Sequence, residues 1–347
     1  MRIQVSAEHR TRIRLWRSSD PAVACRLELG HRLGVLDKMT EVASRFTAEE
    51  LGQTPSHFWS EENAYEPLLH PRESRGDEAG LNVPLNFYPA QHSAWITSQD
   101  ARSMLAVALD RGHGVGSLAD GQLEVMQHRR GAPYVEDAVA EAMDGEMPIV
   151  LDDTERIFSE TWLAIGDAPT VNTLRVSMKR RLNHPFAISF GRPTATSAVT
   201  AQQPGAFEAV AAGLPPALTL QTLRANDANG TELLLRIAHG YALGSASAPP
   251  SLAQPQTLDL PALLRAAGLA HQVVEEVTLT GLAQASDAAS VRTQWATNGS
   301  LLPEGAWRAR PTQDALAGAQ AAPAKDGTVT IAPLEIRAWL LRLQKEG

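Results

Sequence analysis

Apolar and polar residues alternate in short runs along most of the chain. "RIRLW" (Arg12–Trp16), "ACRLELG" (Ala24–Gly30) and "LEVMQ" (Leu123–Gln127) alternate, and "SAWITS" (Ser93–Ser98) is rich in strand formers. "TELLLRIAHGYAL" (Thr231–Leu243), "VVEEVTLTGL" (Val273–Leu282) and "GTVTIAPLEIRAWLLRL" (Gly327–Leu343) continue the pattern. Each run is bounded by Gly, Pro, Asn or Asp, so the period predicts strands joined by turns. Only "YVEDAVAEAMDG" (Tyr134–Gly145) and "LPALLRAAGLA" (Leu260–Ala270, with Gly268 near its end) carry helical spacing. Many strands and two short helices predict an all-β sandwich architecture.

The pattern weakens between Gly191 and Pro216, where Ala, Pro, Thr and Gly dominate, and again over Pro311–Gly327. The first break reads as a linker or long loop. It divides the chain into a first sandwich over 1–195, a connection over 196–213 and a second sandwich over 214–347.

Composition narrows the function classes. A chain of 347 residues that is 44% hydrophobic and 20% charged has material for packed cores. Its net charge of −8 argues against a nucleic-acid partner, and no apolar run reaches the roughly 18 residues of a membrane span. The opening stretch "MRIQVSAEHRTRIRLW" shows no secretory leader. The single cysteine, Cys25, rules out an intrachain disulfide and a multi-cysteine zinc site and reads as a small buried residue. Asn229-Gly230-Thr231 and Asn298-Gly299-Ser300 match the glycosylation triplet, a short motif that assigns no compartment.

The stretch Asp110–Arg130, "DRGHGVGSLADGQLEVMQHRR", holds glycines at alternate positions 112, 114 and 116, then Asp120-Gly121. Three readings compete. Gly114–Ala119 matches a dinucleotide fingerprint, but that motif must open a helix, and here Asp-Gly and an alternating run follow. His113, Asp120 and His128 could be metal ligands if the fold gathers them. The third reading is a tight strand connection, with the glycines permitting positive φ and close backbone approach and Asp-Gly making a turn. The pattern favours the third.

The same residues carry a resemblance. Phe87-Tyr88-Pro89, Asp110-Arg111, Gly114, Ser117-Leu118, Asp120-Gly121, Leu123-Glu124, Met126 and Arg129-Arg130 stand in the order and spacing of the C-terminal β-region of the α-mannosidases of glycoside hydrolase family 38, the lysosomal and Golgi type. "DKMTEVASRF" (Asp37–Phe46), "HFWSEENAYEPLLHPRE" (His57–Glu73), "RRLNHP" (Arg180–Pro185), "LLLRIAHGYALG" (Leu233–Gly244) and "VTIAPLEIRAWLLRL" (Val329–Leu343) resemble further segments of that family in its order. The resemblance implies a mutarotase-like β-super-sandwich followed by a smaller C-terminal β-sandwich. It implies a zinc-dependent retaining α-mannosidase acting on terminal mannosyl residues of glycans, in a lysosome, vacuole or Golgi lumen.

The family's zinc ligands and aspartate nucleophile belong to an α/β catalytic domain, which this chain is expected to lack. The expected partners are therefore that catalytic domain and mannose-containing glycans, with no cofactor held by the chain itself. After its double arginine the family carries a "D-D-x-R-G" motif. Here Gly131–Gly145 is acidic and "DDTER" (Asp152–Arg156) comes only later, so Arg156 has no secure counterpart.

Among the chain's own residues, Arg129 and Arg130 could clamp sugar hydroxyls or lock one domain on another. Tyr88, Trp95 and Trp162 could stack on pyranose faces or fill the core, and the strand settings favour the core. Asp152-Asp153 reads as solvated, and His184 and His239 as turn or core histidines. No residue stands in a nucleophile or metal-ligand context. A stand-alone carbohydrate-binding or assembly module is the alternative to a portion of an enzyme.

Overall fold

The computed structural model describes residues 2–4, 9–16, 26–37, 40–63, 65–73, 84–130, 155–184, 205–229, 231–242, 251–269, 271–287 and 327–343. The helix expected over Tyr134–Gly145, Cys25, Asp152-Asp153 and Asn298 lie outside them. The chain forms two compact units, Met1–Phe186 and Ala187–Gly347. Both are mostly β, as the alternation predicts.

The first unit contains β1 (Arg2–Gln4), β2 (Arg10–Leu15), β3 (Leu27–Leu33), β4 (Thr40–Thr47), β5 (His57–Ser60), β6 (Leu68–Pro71), β7 (Phe87–Ala90), β8 (Ser93–Thr97), β9 (Ser103–Leu109), β10 (His113–Gly116), β11 (Gln122–Arg130), β12 (Ile157–Asp167) and a helix, α1 (Ala168–Asn183). Eight strands form one sheet in the order β1-β2-β3-β12-β9-β8-β5-β6, and four form a second in the order β4-β11-β10-β7.

Strand β9, "SMLAVAL", shows why the run reads as apolar throughout: it is buried on both faces. Leu105, Val107 and Leu109 pack with Ile96, Phe58, Val115, Leu123 and Val125 between the two sheets. Met104, Ala106 and Ala108 face the other way and pack with Val171, Leu174 and Met178 of α1. The alanines let a helix lie close, so the unit has three layers: helix, large sheet, small sheet.

Helix α1 was not expected. The sequence does carry its start: Asp167 caps it by accepting from Thr170 N at 3.1 Å, with a proline in the first turn. Ala168, Val171, Leu174 and Met178 form the apolar stripe, but the buried face also holds Asn172, Arg175 and Lys179. Those polar residues blur the period.

In the second unit, β13 (Leu218–Ala225), β14 (Glu232–His239), β16 (His271–Val277) and β18 (Ile336–Leu343) form a sheet in the order β13-β14-β18-β16, and β15 (Gln256–Asp259) pairs with β17 (Thr328–Ile331). The closing run read as one strand is therefore two strands in different sheets. Helices α2 (Ala206–Ala212) and α3 (Leu260–Ala266) contribute Val210, Leu260, Leu263 and Leu264 to a core around Trp339, Leu235 and Ile237. Helix α3 matches the expected one: Asp259 caps it through Ala262 N at 2.8 Å, and Gly268, at φ 71°, ends it. Helix α2 falls inside the stretch read as linker, because a low-complexity segment can still seat one buried valine.

Candidate functional site

The hairpin β10–β11 settles the glycine question. The strands pair antiparallel, Val115 opposite Val125 and Gly116 opposite Glu124. Among these glycines only Gly121 has positive φ, 65°, and Gln122 N donates to Ala119 O at 3.2 Å to close the turn. Gly112, Gly114 and Gly116 serve close approach alone. A Cβ on them would meet Gln91 Oε1 at 2.8 Å, Met126 Sδ at 2.5 Å and Asn86 O at 2.6 Å. Side chains of neighbouring strands thus lie across β10, forming a shallow groove lined by Phe87, Pro89, Gln91 and Met126. The dinucleotide reading fails because β11, a strand, follows the turn.

The metal reading fails as well. Asp120 sits at the turn, bound by Arg72 at 2.6 Å and Thr54 at 3.3 Å. His128 lies toward the other end of β11, roughly 20 Å of strand beyond Gln122 at about 3.3 Å per residue. His113 bonds Met126 O at 2.6 Å and Asp110 at 3.4 Å. Among the described residues no group of three or more His, Cys, Asp or Glu could hold a metal ion. The described residues therefore do not fit a zinc site.

The structure separates the four candidate sugar contacts. Arg129 is exposed and pairs in register with Glu41 of β4. Arg130 is half-buried, and its Nη1 donates to Leu36 O at 2.6 Å, tying the end of β11 to the segment after β3. Tyr88 points between the sheets, opposite Val115, with its ring stacked on His70 at 4.1 Å and edge-on to Phe58 at 5.9 Å. Trp95 is 4% exposed. The Arg175 guanidinium lies over its ring at 4.1 Å and Trp59 runs parallel at 6.0 Å. Trp95 is thereby covered within this chain, against the stacking role considered for it, whereas Tyr88 is half-buried and also lines the shallow groove beside β10. Trp162 is likewise buried, under the Arg26 guanidinium at 4.1 Å. His239 is fully buried with Nε2 2.9 Å from Gln254 O, whereas His184 and Arg156 are exposed.

Pattern reading missed the most concentrated chemistry, a buried ionic cluster beneath α1. Glu61 Oε1 accepts from Arg175 Nη1 and from Lys179 Nζ, each at 2.6 Å. Ser93 Oγ donates to Glu61 Oε2 at 2.6 Å, and Asn172 Oδ1 accepts from Arg175 Nε and Nη2 at 3.0 and 2.9 Å. Burial pushes the Glu61 carboxyl up, but the Lys179 ammonium and Arg175 guanidinium outweigh it and hold it below its usual value. Lys179 shifts down, from burial first, against the pull of Glu61. Every charge has a partner, so the cluster fastens α1 to the sheet. Its signal lay in Arg175 and Lys179 at i, i+4 on an otherwise apolar helical face.

Ser60, His70 and Glu62 look like a nucleophile set but are not arranged as one. Ser60 Oγ donates to Pro89 O at 3.0 Å and lies 2.9 Å from His70 Nε2, and Glu62 Oε1 is 3.5 Å from that same nitrogen. Activation of a serine needs the carboxylate on the opposite ring nitrogen. Burial also lowers the His70 pKa to about 4.

No protein-family model matches the chain. It is 27% identical over 349 residues to the epididymis-specific alpha-mannosidase of Homo sapiens, covering 92% of this chain and 31% of that protein. It is 28% identical over 318 residues to the lysosomal alpha-mannosidase of Felis catus, covering 88% and 28%. The chain is a homologue of the alpha-mannosidases. It spans about three-tenths of the length of these curated alpha-mannosidase relatives. Among solved structures, an alpha-mannosidase from Enterococcus faecalis V583 matches with a TM-score of 0.53 over 97% of this chain and 29% of that one, at 11% identity. That likeness supports the fold.

Proposed function

We propose that the chain forms the β-rich C-terminal portion of a retaining, zinc-dependent alpha-mannosidase that acts on terminal mannosyl residues of glycans. The observation that carries this reading is the match of about nine-tenths of the chain to alpha-mannosidases over only about three-tenths of their length. On this reading the nucleophile and the metal reside in a catalytic domain outside this chain, since its described residues do not fit a zinc site. No step through zinc is assigned to these residues. The chain supports that domain and completes one wall of the substrate pocket.

Of the two arginines, Arg129 is the one proposed to reach a sugar, because neighbours on a strand point to opposite faces and Arg130 is held by Leu36 O. Five donors in a planar fork suit vicinal hydroxyls. Arg130 and the Glu61 cluster keep the wall rigid.

The test is to replace the matched region of the Felis catus lysosomal enzyme with this chain and follow hydrolysis of an aryl α-mannoside. The chimera should be active, and Arg129→Met should lower kcat/KM about tenfold, the loss of one charge-assisted hydrogen bond. A folded chimera without activity, or one indifferent to Arg129→Met, contradicts the corresponding part of the reading.

A further inference from the structure

Helix α1 covers only part of one face of the large sheet. On the same face, β2, β3 and the start of β12 present a different surface. Arg10 pairs in register with Arg32 and Arg32 with Phe158; Arg12 pairs with Gly30 and Gly30 with Glu160; Arg14 pairs with Glu28 and Glu28 with Trp162. Trp16 continues the row beyond Arg14. Gly30 has a function here: a Cβ on it would meet Arg12 Nη2 at 3.4 Å, so its absence lets Arg12 lie across β3 to Glu160 at 3.7 Å. Arg14 sits over the Trp16 ring at 5.0 Å and bonds Glu28 at 3.2 Å, and Arg32 sits over Phe158 at 5.4 Å. Trp16 is 43% and Phe158 59% exposed.

Arg26 already neutralises Glu28, with two hydrogen bonds at 3.0 and 2.8 Å. Among the described residues of these rows that leaves Arg10, Arg12, Arg14 and Arg32 against Glu160, in a chain whose net charge is −8. Buried guanidinium–indole stacking, as at Arg26–Trp162, needs no ligand. Exposed arginines lying over exposed rings are a different matter. Their outer N–H groups remain available, they are pre-positioned by strand register, and the rings offer apolar faces of pyranose size.

We propose that this face of β2–β3–β12 binds an acidic saccharide, its phosphate, sulfate or carboxylate held by Arg12 and Arg14 and its ring seated on Trp16. Arg32 and Phe158 form the equivalent pair at the far end of the row. Bidentate guanidinium contacts suit all three anions, and none requires a metal. The proposal does not depend on the enzyme reading, since it uses residues that reading leaves idle.

The experiment is calorimetric titration of the full 347-residue chain with mannose 6-phosphate, mannose, glucuronic acid, N-acetylglucosamine 6-sulfate and inorganic phosphate, at low and high salt. At least one anionic sugar should bind, mannose should not, and affinity should fall with salt as arginine-held anions do. Which of the three anionic sugars binds identifies the natural anion. The Arg12→Gln/Arg14→Gln double variant should weaken binding at least about tenfold. Trp16→Ala should weaken the sugar and leave inorganic phosphate unchanged, and Arg224→Gln, an exposed arginine of the other unit, should change nothing. Absence of binding by every anionic sugar overturns the proposal. So does equal binding of inorganic phosphate with no effect of Trp16→Ala, which would mean an unspecific anion patch.

Discussion

The two halves of one sheet face invite comparison. Under α1 the sheet offers Ala106, Ala108, Ala164 and Trp95, and the charges of the Glu61–Arg175–Lys179 cluster, all paired. A few strands away, the same face offers Arg12, Arg14, Arg32, Trp16 and Phe158 to solvent. Both halves combine arginine with tryptophan, Arg175 over Trp95 and Arg14 over Trp16, at 4.1 and 5.0 Å. What differs is desolvation. Charge in the covered half is structural, because leaving one member unpaired costs the burial of an ion. Charge in the open half contributes little to stability and stays available for recognition.

The largest effect expected from this contrast is at Glu61. Glu61→Gln leaves Arg175 and Lys179 buried side by side, and the unfolding free energy should drop by about 3–5 kcal/mol in denaturant titration. Arg12→Gln in the open half should stay within about 0.5 kcal/mol by the same method. Equal costs for the two variants would erase the distinction.

Next is packing. Ala106→Leu would force side-chain atoms into the space α1 occupies, with an expected loss of about 1–3 kcal/mol. A neutral result would mean that α1 does not rest on this strand.

Acidification probes the opposite face of the large sheet, turned toward the small one, where His31 and His70 lie. Burial, with a smaller push from His113, lowers the His31 pKa to about 4 against a pull from Asp110, and burial brings His70 to about 4 as well. Both imidazoles stay neutral in the folded chain while the unfolded chain gains protons from about pH 6.5 downward. Their stabilising contribution is complete above about pH 6.5 and fades as the pH falls toward 4, and Glu61 adds to the loss below the ordinary carboxylate range. Thermal midpoints should fall steadily between pH 7 and pH 4; a midpoint that rises on acidification contradicts the assignment.

The smallest expected effects separate two kinds of glycine. Gly121→Ala forces a positive φ on a β-carbon and brings it to 2.8 Å from Ala48 O, so it should cost at least about 1 kcal/mol. At Gly114 the obstacle is Met126 Sδ at 2.5 Å, the far end of a flexible side chain. Gly114→Ala should cost less in chemical denaturation, and the reverse order would show that close approach, not φ, dominates this hairpin.

Strands were legible wherever apolar and polar residues alternate, as in Arg12–Trp16 and Leu123–Gln127, because the period itself is the signal, even where the polar positions are buried too, as at Glu124 and Gln127. The hairpin at Asp120-Gly121 was legible for the same reason. Helix α1 was not, since three polar residues interrupt its apolar face, and the partner that makes them tolerable, Glu61, lies 114 residues from Arg175. The roles of Tyr88 and Trp95 depended on which strand face each occupies and on what stacks there, His70 and Arg175, which no local pattern contains. The split of Arg129 from Arg130 needed only strand alternation, but choosing the bound one required Leu36 O.

The most direct test of the central claim is turnover of an aryl α-mannoside by the purified 347-residue chain alone, with zinc supplied. The account predicts no turnover above buffer, because a mannosyl-enzyme intermediate needs a positioned carboxylate and a polarising metal together, and no group of three or more His, Cys, Asp or Glu among the described residues could hold that metal. Turnover that disappears when one of the chain's own carboxylates is changed would contradict it and place a complete active site within these sandwiches.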